Sequence, residues 1–129
     1  MAIQFIVDSA SDILPEEAEK LGIIHLPLKV LFGTEEYADA VTLSHRAFYE
    51  RLVESDTLPT TCQIPPAEFD GVFKTVTDRG DTAVVVTVSG ELSGTYQSAA
   101  AAAELCDNSG DITVLNSRTL CGPHRYLVE

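Results

Sequence analysis

Four stretches of the chain carry the apolar pattern of β-strands. Ala2-Ile3-Gln4-Phe5-Ile6-Val7 is β-rich and stops at Asp8-Ser9. Ile23 to Phe32 is apolar and partly β-branched, but it contains Pro27. A proline cannot donate to a ladder, so part of this stretch is expected at a sheet edge or a bend. Thr82-Ala83-Val84-Val85-Val86-Thr87-Val88 is the clearest strand, and its near-continuous apolar run fits burial on both faces of a parallel sheet. Asp111 to Leu115 reads as the last strand, with Asn116-Ser117 opening the final connection.

Helical spacing fills the intervals. Pro15 suits a first helical turn, Glu16 and Glu17 sit at its positive end, and Gly22 is a natural stop. Gly33-Thr34-Glu35-Glu36 reads as a turn. Ser44 is placed as an N-cap with Leu43 and Phe48 as a hydrophobic staple, and the helix runs on through Leu52 and Val53. Asp56 to Pro66 holds prolines at 59, 65 and 66 and reads as a loop. Phe69, Val72, Phe73 and Val76 form one apolar helical face that ends at Gly80. An alanine-rich helix is expected from Tyr96 to Leu105. The order β-α-β-α-α-β-α-β-α predicts one domain over residues 1–129. Its expected architecture is a three-layer α/β/α arrangement on a mostly parallel sheet.

Composition narrows the function classes. The 129 residues are 45% hydrophobic and 22% charged, enough for a core without disulfides. No apolar run approaches the roughly 20 residues that span a bilayer, and the first residues lack the basic region of a secretory signal. The net charge of −12 argues against a nucleic-acid partner, which needs clustered Lys and Arg. Cys62, Cys106 and Cys121 are odd in number and show no C-x-x-C spacing. No metal site or cofactor is expected, and a reduced, cytoplasmic setting fits. Cys62 is expected as a small buried side chain.

Candidate chemistry lies in polar turns that follow strands, because ligands of open α/β sheets sit beyond the strands' carboxyl ends. Asp8-Ser9-Ala10-Ser11-Asp12 and Ser89-Gly90-Glu91-Leu92-Ser93-Gly94-Thr95 are two such turns, and Thr60-Thr61 adds hydroxyls from the proline-rich loop. In the second turn, glycines allow close approach, the next helix presents unpaired amides, and hydroxyls donate. That combination suits a carboxylate or phosphate. Two enzyme readings compete. Asp8 resembles a phosphotransferase nucleophile, but Ala10 stands where a second Asp is needed. Ser93 suggests a hydrolase, but Gly90-Glu91-Leu92-Ser93-Gly94 lacks the G-x-S-x-G spacing, and His25, His45 and His124 read as surface or packing residues. Asp8 is instead expected to accept hydrogen bonds from loop amides.

Several strings together resemble one family. Val7-Asp8-Ser9-Ala10-Ser11-Asp12-Ile13, Pro27-Leu28-Lys29-Val30, Tyr37-Ala38-Asp39 and Pro59-Thr60-Thr61-Cys62-Gln63 occur in the order found in DegV proteins. Leu92-Ser93-Gly94-Thr95-Tyr96-Gln97-Ser98-Ala99 is the most specific match. The resemblance implies the amino-terminal α/β domain of a bacterial, FakB-like fatty-acid-binding protein, with no catalytic residues of its own. It implies a long-chain fatty acid as ligand and a fatty acid kinase as partner. It also implies a carboxy-terminal lipid-binding domain that this chain lacks. By position, the carboxylate site comprises Thr60, Thr61, Ser89, Gly90 and Ser93, supported by Asp8, Ser9, Gly94 and Thr95. The chain departs from the family pattern at Gly90 and Cys62, where serines are usual, and at Ile64, where proline is usual. The rival outside enzymology is an interaction module that has lost its ligand.

Overall fold

The computed structural model describes residues 2–129. Its elements are β1 (Ile3–Asp8), α1 (Pro15–Leu21), β2 (Ile24–Leu26), β3 (Lys29–Phe32), β4 (Glu35–Ala38) and α2 (His45–Glu54). They continue as β5 (Thr60–Cys62), α3 (Pro66–Asp78), β6 (Thr82–Thr87), α4 (Thr95–Leu105), β7 (Ile112–Asn116) and α5 (Gly122–Val128). A four-stranded sheet in the order β2-β1-β6-β7 is parallel throughout. A separate antiparallel sheet runs β4-β3-β5.

The parallel sheet is covered on both faces, as the period of two along its strands requires. Ile6 and Val85 face one way and pack with Phe69, Phe73 and Val76 of α3 and Ala99 and Ala102 of α4. Val7 faces the other way and packs with Ile13, Ala18 of α1 and Val128 of α5. The alanines let α4 lie close to the sheet, while Phe69 and Phe73 supply bulk, each contributing about 1.5–3 kcal/mol by burial.

Local signals explain the helix ends. Gly22 takes φ 70° and closes α1 by donating to Ala18 and Glu19 carbonyls. Ser44 Oγ accepts the Ala47 amide at 3.1 Å at the start of α2, and Leu43 packs with Phe48.

The antiparallel sheet is where the sequence expectation needs correction. Ile23 to Phe32 is two strands, not one. Pro27 interrupts the ladder, after which the chain leaves the parallel sheet and starts the second. Glu35–Ala38 is a strand paired to β3 rather than part of a turn, and Thr60–Cys62 is a strand rather than loop. Both are short and polar, so their pairing with β3 determines them more than their own propensity does. The second sheet packs Val30, Phe32 and Leu43 against Ala47 and Phe48 of α2.

Candidate functional site

Because the main sheet is parallel, Asp8, Leu26, Thr87 and Asn116 end their strands along one edge. A cavity of about 450 Å³ opens there. Each of those four strand ends is followed within a few residues by a cavity-lining residue: Ala10, Leu28, Val88 and Leu120. Thr61, Cys62 and Gln63 close a second side, and Leu92, Ser93 and Gly94 close a third. Pairing of β5 with β3 at Thr61 and Val30 is what swings the threonine segment over the edge.

The polar turns predicted from the sequence therefore border one cavity, but their residues differ in what they present to it. Thr61, Ser93 and Gly94 line it. Thr60 belongs to the same strand but is not among the residues that line the cavity. Ser89 is buried, and its oxygens are used locally. Its carbonyl accepts Leu92 and Ser93 amides at 3.0 and 3.1 Å, and its Oγ accepts the Glu91 amide at 3.3 Å. Gly90 lies behind the turn and donates its amide to Asn116 Oδ1 at 3.1 Å. A Cβ there would meet Asn116 Nδ2 at 3.0 Å and Tyr96 Cδ1 at 3.2 Å. Cys62 is exposed and faces the cavity, contrary to the buried position expected of it, because β5 lies on the rim.

Beneath the cavity, Asp8 organises the floor. Its Oδ2 accepts the Val88 amide at 2.7 Å and its Oδ1 accepts the Ala10 amide at 3.0 Å. The sequence expectation that Asp8 serves loop amides matches this geometry. Burial pushes the Asp8 carboxyl above the ordinary aspartate value, while the Val88 amide, the His124 ring and the Ala10 amide pull it back. His124 is fully buried in α5. Its Nε2 lies 2.9 Å from the Val86 carbonyl, and its Nδ1 lies 3.9 Å from Asp8 Oδ1. Nδ1 has no hydrogen-bond partner among the described residues. Ser9 Oγ accepts the Leu28 amide at 3.0 Å, which fixes the chain where it leaves the parallel sheet.

The two polar walls are joined directly. Gln63 Nε2 donates to Ser98 Oγ at 3.2 Å, and the Ile64 amide donates to Thr95 Oγ1 at 3.4 Å. Gln63 sits where a side chain on Gly94 would be: a Cβ at Gly94 would fall 1.8 Å from Gln63 Oε1. Thr95 is fully buried, and Ser93 Oγ lies 3.0 Å from Thr95 Oγ1. Gln63 and the apolar liners Leu28, Val88 and Leu120 escaped the sequence reading. A glutamine beside a Thr-Thr pair and single leucines after strands carry no local signal of a pocket.

The cavity thus combines hydroxyl groups and a helix N-terminus on two walls with apolar side chains along the strand ends. It suits an anionic head attached to an apolar tail. Among the described residues no group of three His, Cys, Asp or Glu has metal-binding geometry, and no helix is long and apolar enough to cross a membrane.

Comparison with known proteins gives a family match over residues 2–129, to the family described as "Uncharacterised protein, DegV family". A DegV domain-containing protein of Clostridium perfringens is 38% identical over 118 residues, covering 92% of this chain and 42% of that protein. A Thermus thermophilus structure described as a fatty-acid-binding DegV family protein superposes with a TM-score of 0.88. It is 29% identical, covering 99% of this chain and 45% of that one. Bacillus subtilis DegV, described as a fatty acid binding protein, also superposes with a TM-score of 0.88. It is 30% identical, over 99% of this chain and 45% of that one. The chain therefore spans under half the length of the relatives it matches.

Proposed function

The chain belongs to the DegV family, and from that premise we propose that it binds a long-chain fatty acid by its carboxylate at the carboxyl edge of the parallel sheet. One observation carries this reading. Thr61 and Ser93, from segments far apart in sequence, line the same cavity together with Gly94 at the start of α4. Their hydroxyls are the side-chain donors for the head, and the first amides of α4 add positive partial charge. A buried carboxylate requires such partners. Leu28, Val88, Leu92 and Leu120 receive the first methylenes, each contributing about 0.8 kcal/mol when buried.

Leu92 and Leu120 remain 66% and 44% exposed, so the apolar wall is incomplete on this chain. A carboxy-terminal lipid-binding domain of the family kind would cover them and enclose the tail. In that assembly the protein holds the acid for phosphorylation by a fatty acid kinase, and the chemistry belongs to the partner. The local geometry favours binding over turnover. Asp8 is buried with both oxygens engaged, which suits a structural anchor better than a phosphotransfer nucleophile. Ser93 is hydrogen-bonded to Thr95, and His124, the nearest buried base to Asp8, is held on the Val86 carbonyl.

Extraction of the purified protein followed by mass spectrometry should release a fatty acid. Thr61→Val keeps the side-chain shape and removes one donor, so affinity for palmitate should fall about ten- to a hundredfold, the worth of one hydrogen bond to a charged group. Unchanged affinity in a titration removes Thr61 from the site. Absence of any bound acid, with no palmitate binding on titration, removes the lipid reading and favours a module without a ligand.

A further inference from the structure

Thr95 is fully buried, and its Oγ1 accepts the Ile64 amide at 3.4 Å. Its own proton needs an acceptor, since an unpaired buried donor is costly. Ser93 Oγ, 3.0 Å away, is the acceptor in reach. The opposite direction, Ser93 donating to Thr95, would leave the Thr95 proton with nowhere to go. Ser93 Oγ also accepts the Thr95 amide at 3.2 Å. Two hydrogens therefore arrive at Ser93 Oγ and occupy the two lone pairs of a hydroxyl. Ser93 is half-buried on the cavity wall, and its remaining capacity is its own O–H, which is left to the cavity.

We infer that Thr95 is a positioning residue that makes Ser93 a one-way donor, so that the cavity selects head groups that only accept hydrogen bonds. This rests on the carboxylate reading above and adds its cause. A carboxylate accepts and never donates, so it matches a wall of fixed donors. A primary alcohol of the same chain length carries a proton that Ser93 Oγ, with both lone pairs occupied, cannot accept. Selection of the ionised acid over its alcohol then comes from the chain Ile64 N–H to Thr95 Oγ–H to Ser93 Oγ–H.

The test measures the affinities of palmitate and hexadecanol for the purified protein by displacement of a fluorescent acyl probe, and takes their ratio. Thr95→Val removes the hydroxyl and frees Ser93 to rotate. It should lower the acid-to-alcohol ratio about five- to tenfold, mostly through the acid. Thr95→Ser keeps the hydroxyl and should keep the ratio, and Ser93→Ala should lower it at least as far as Thr95→Val. If Thr95→Val does not fold, Thr95→Cys, with its weak S–H donor, should give an intermediate ratio. The inference is overturned if the valine or cysteine variant keeps the wild-type ratio, weakening acid and alcohol alike, or if Thr95→Ser loses it. In those cases palmitate binding by the unaltered protein leaves the carboxylate reading standing. If the unaltered protein shows no preference for palmitate over hexadecanol, both fall together.

Discussion

Gly94→Ala probes the joint between the two walls of the cavity. Gly94 has φ −70° and ψ 0°, a backbone that alanine adopts without strain. Taken alone, alanine would stabilise by about 0.4–1 kcal/mol, through the lost freedom of the unfolded chain. The obstacle is Gln63, whose Oε1, Cδ and Nε2 would lie 1.8, 2.7 and 3.1 Å from the new Cβ. Gln63 must swing away, which breaks its bond to Ser98, a side chain only 3% exposed. Leaving that buried hydroxyl without its partner costs about 1–3 kcal/mol. The net expectation is a loss of about 1–3 kcal/mol once the displaced Gln63 also disturbs Cys62 and Ile64. In a Gln63→Ala background the clash is gone, and the same change should be neutral or stabilising. Urea denaturation of the four proteins closes a double-mutant cycle. The sign of the Gly94→Ala effect should reverse between backgrounds. An equal loss in both would refute the idea that Gln63 occupies the space Gly94 leaves open.

Other changes test separate parts of the structure. Ser44→Ala removes the cap on Ala47 and should cost about 1 kcal/mol in denaturant unfolding, with ligand binding untouched. Gly90→Ser should lower stability by about 1 kcal/mol by crowding Asn116 and Tyr96, and should not raise palmitate affinity. A gain in affinity would return residue 90 to the set of head-group donors. Hydrogen bonding from Arg125 holds the Glu17 carboxyl below the ordinary glutamate value of 4.5. Its contribution to stability is present above 4.5 and is lost as pH falls through the lowered value. Denaturation midpoints of Glu17→Gln and the unaltered protein should therefore differ at neutral pH and converge in acid. A constant gap down to pH 3 would contradict this.

Short-range pattern was sufficient for much of this protein. Apolar runs at β1, β6 and β7, the Phe69–Val76 face of α3, the Ser44 cap and the Gly22 stop are each decided within a few residues, and they are enough for a parallel, three-layer α/β chain. The strings around Thr61 and Ser93 likewise marked two segments that line one cavity. What lay beyond the sequence was everything decided by partners distant along the chain. Glu35–Ala38 and Thr60–Cys62 are strands only because β3 lies between them, and β3 joins them because Pro27 ended the ladder of β2. Within the marked turn, Ser89 and Ser93 look equivalent as letters. Folding buries Ser89 within its own turn, whereas Ser93 lines the cavity with Thr95 behind it. Periodicity can tell which face a side chain takes, because strand and helix geometry repeat. It cannot tell which hydroxyl reaches the cavity, because that depends on atoms that meet only once the chain has closed on itself.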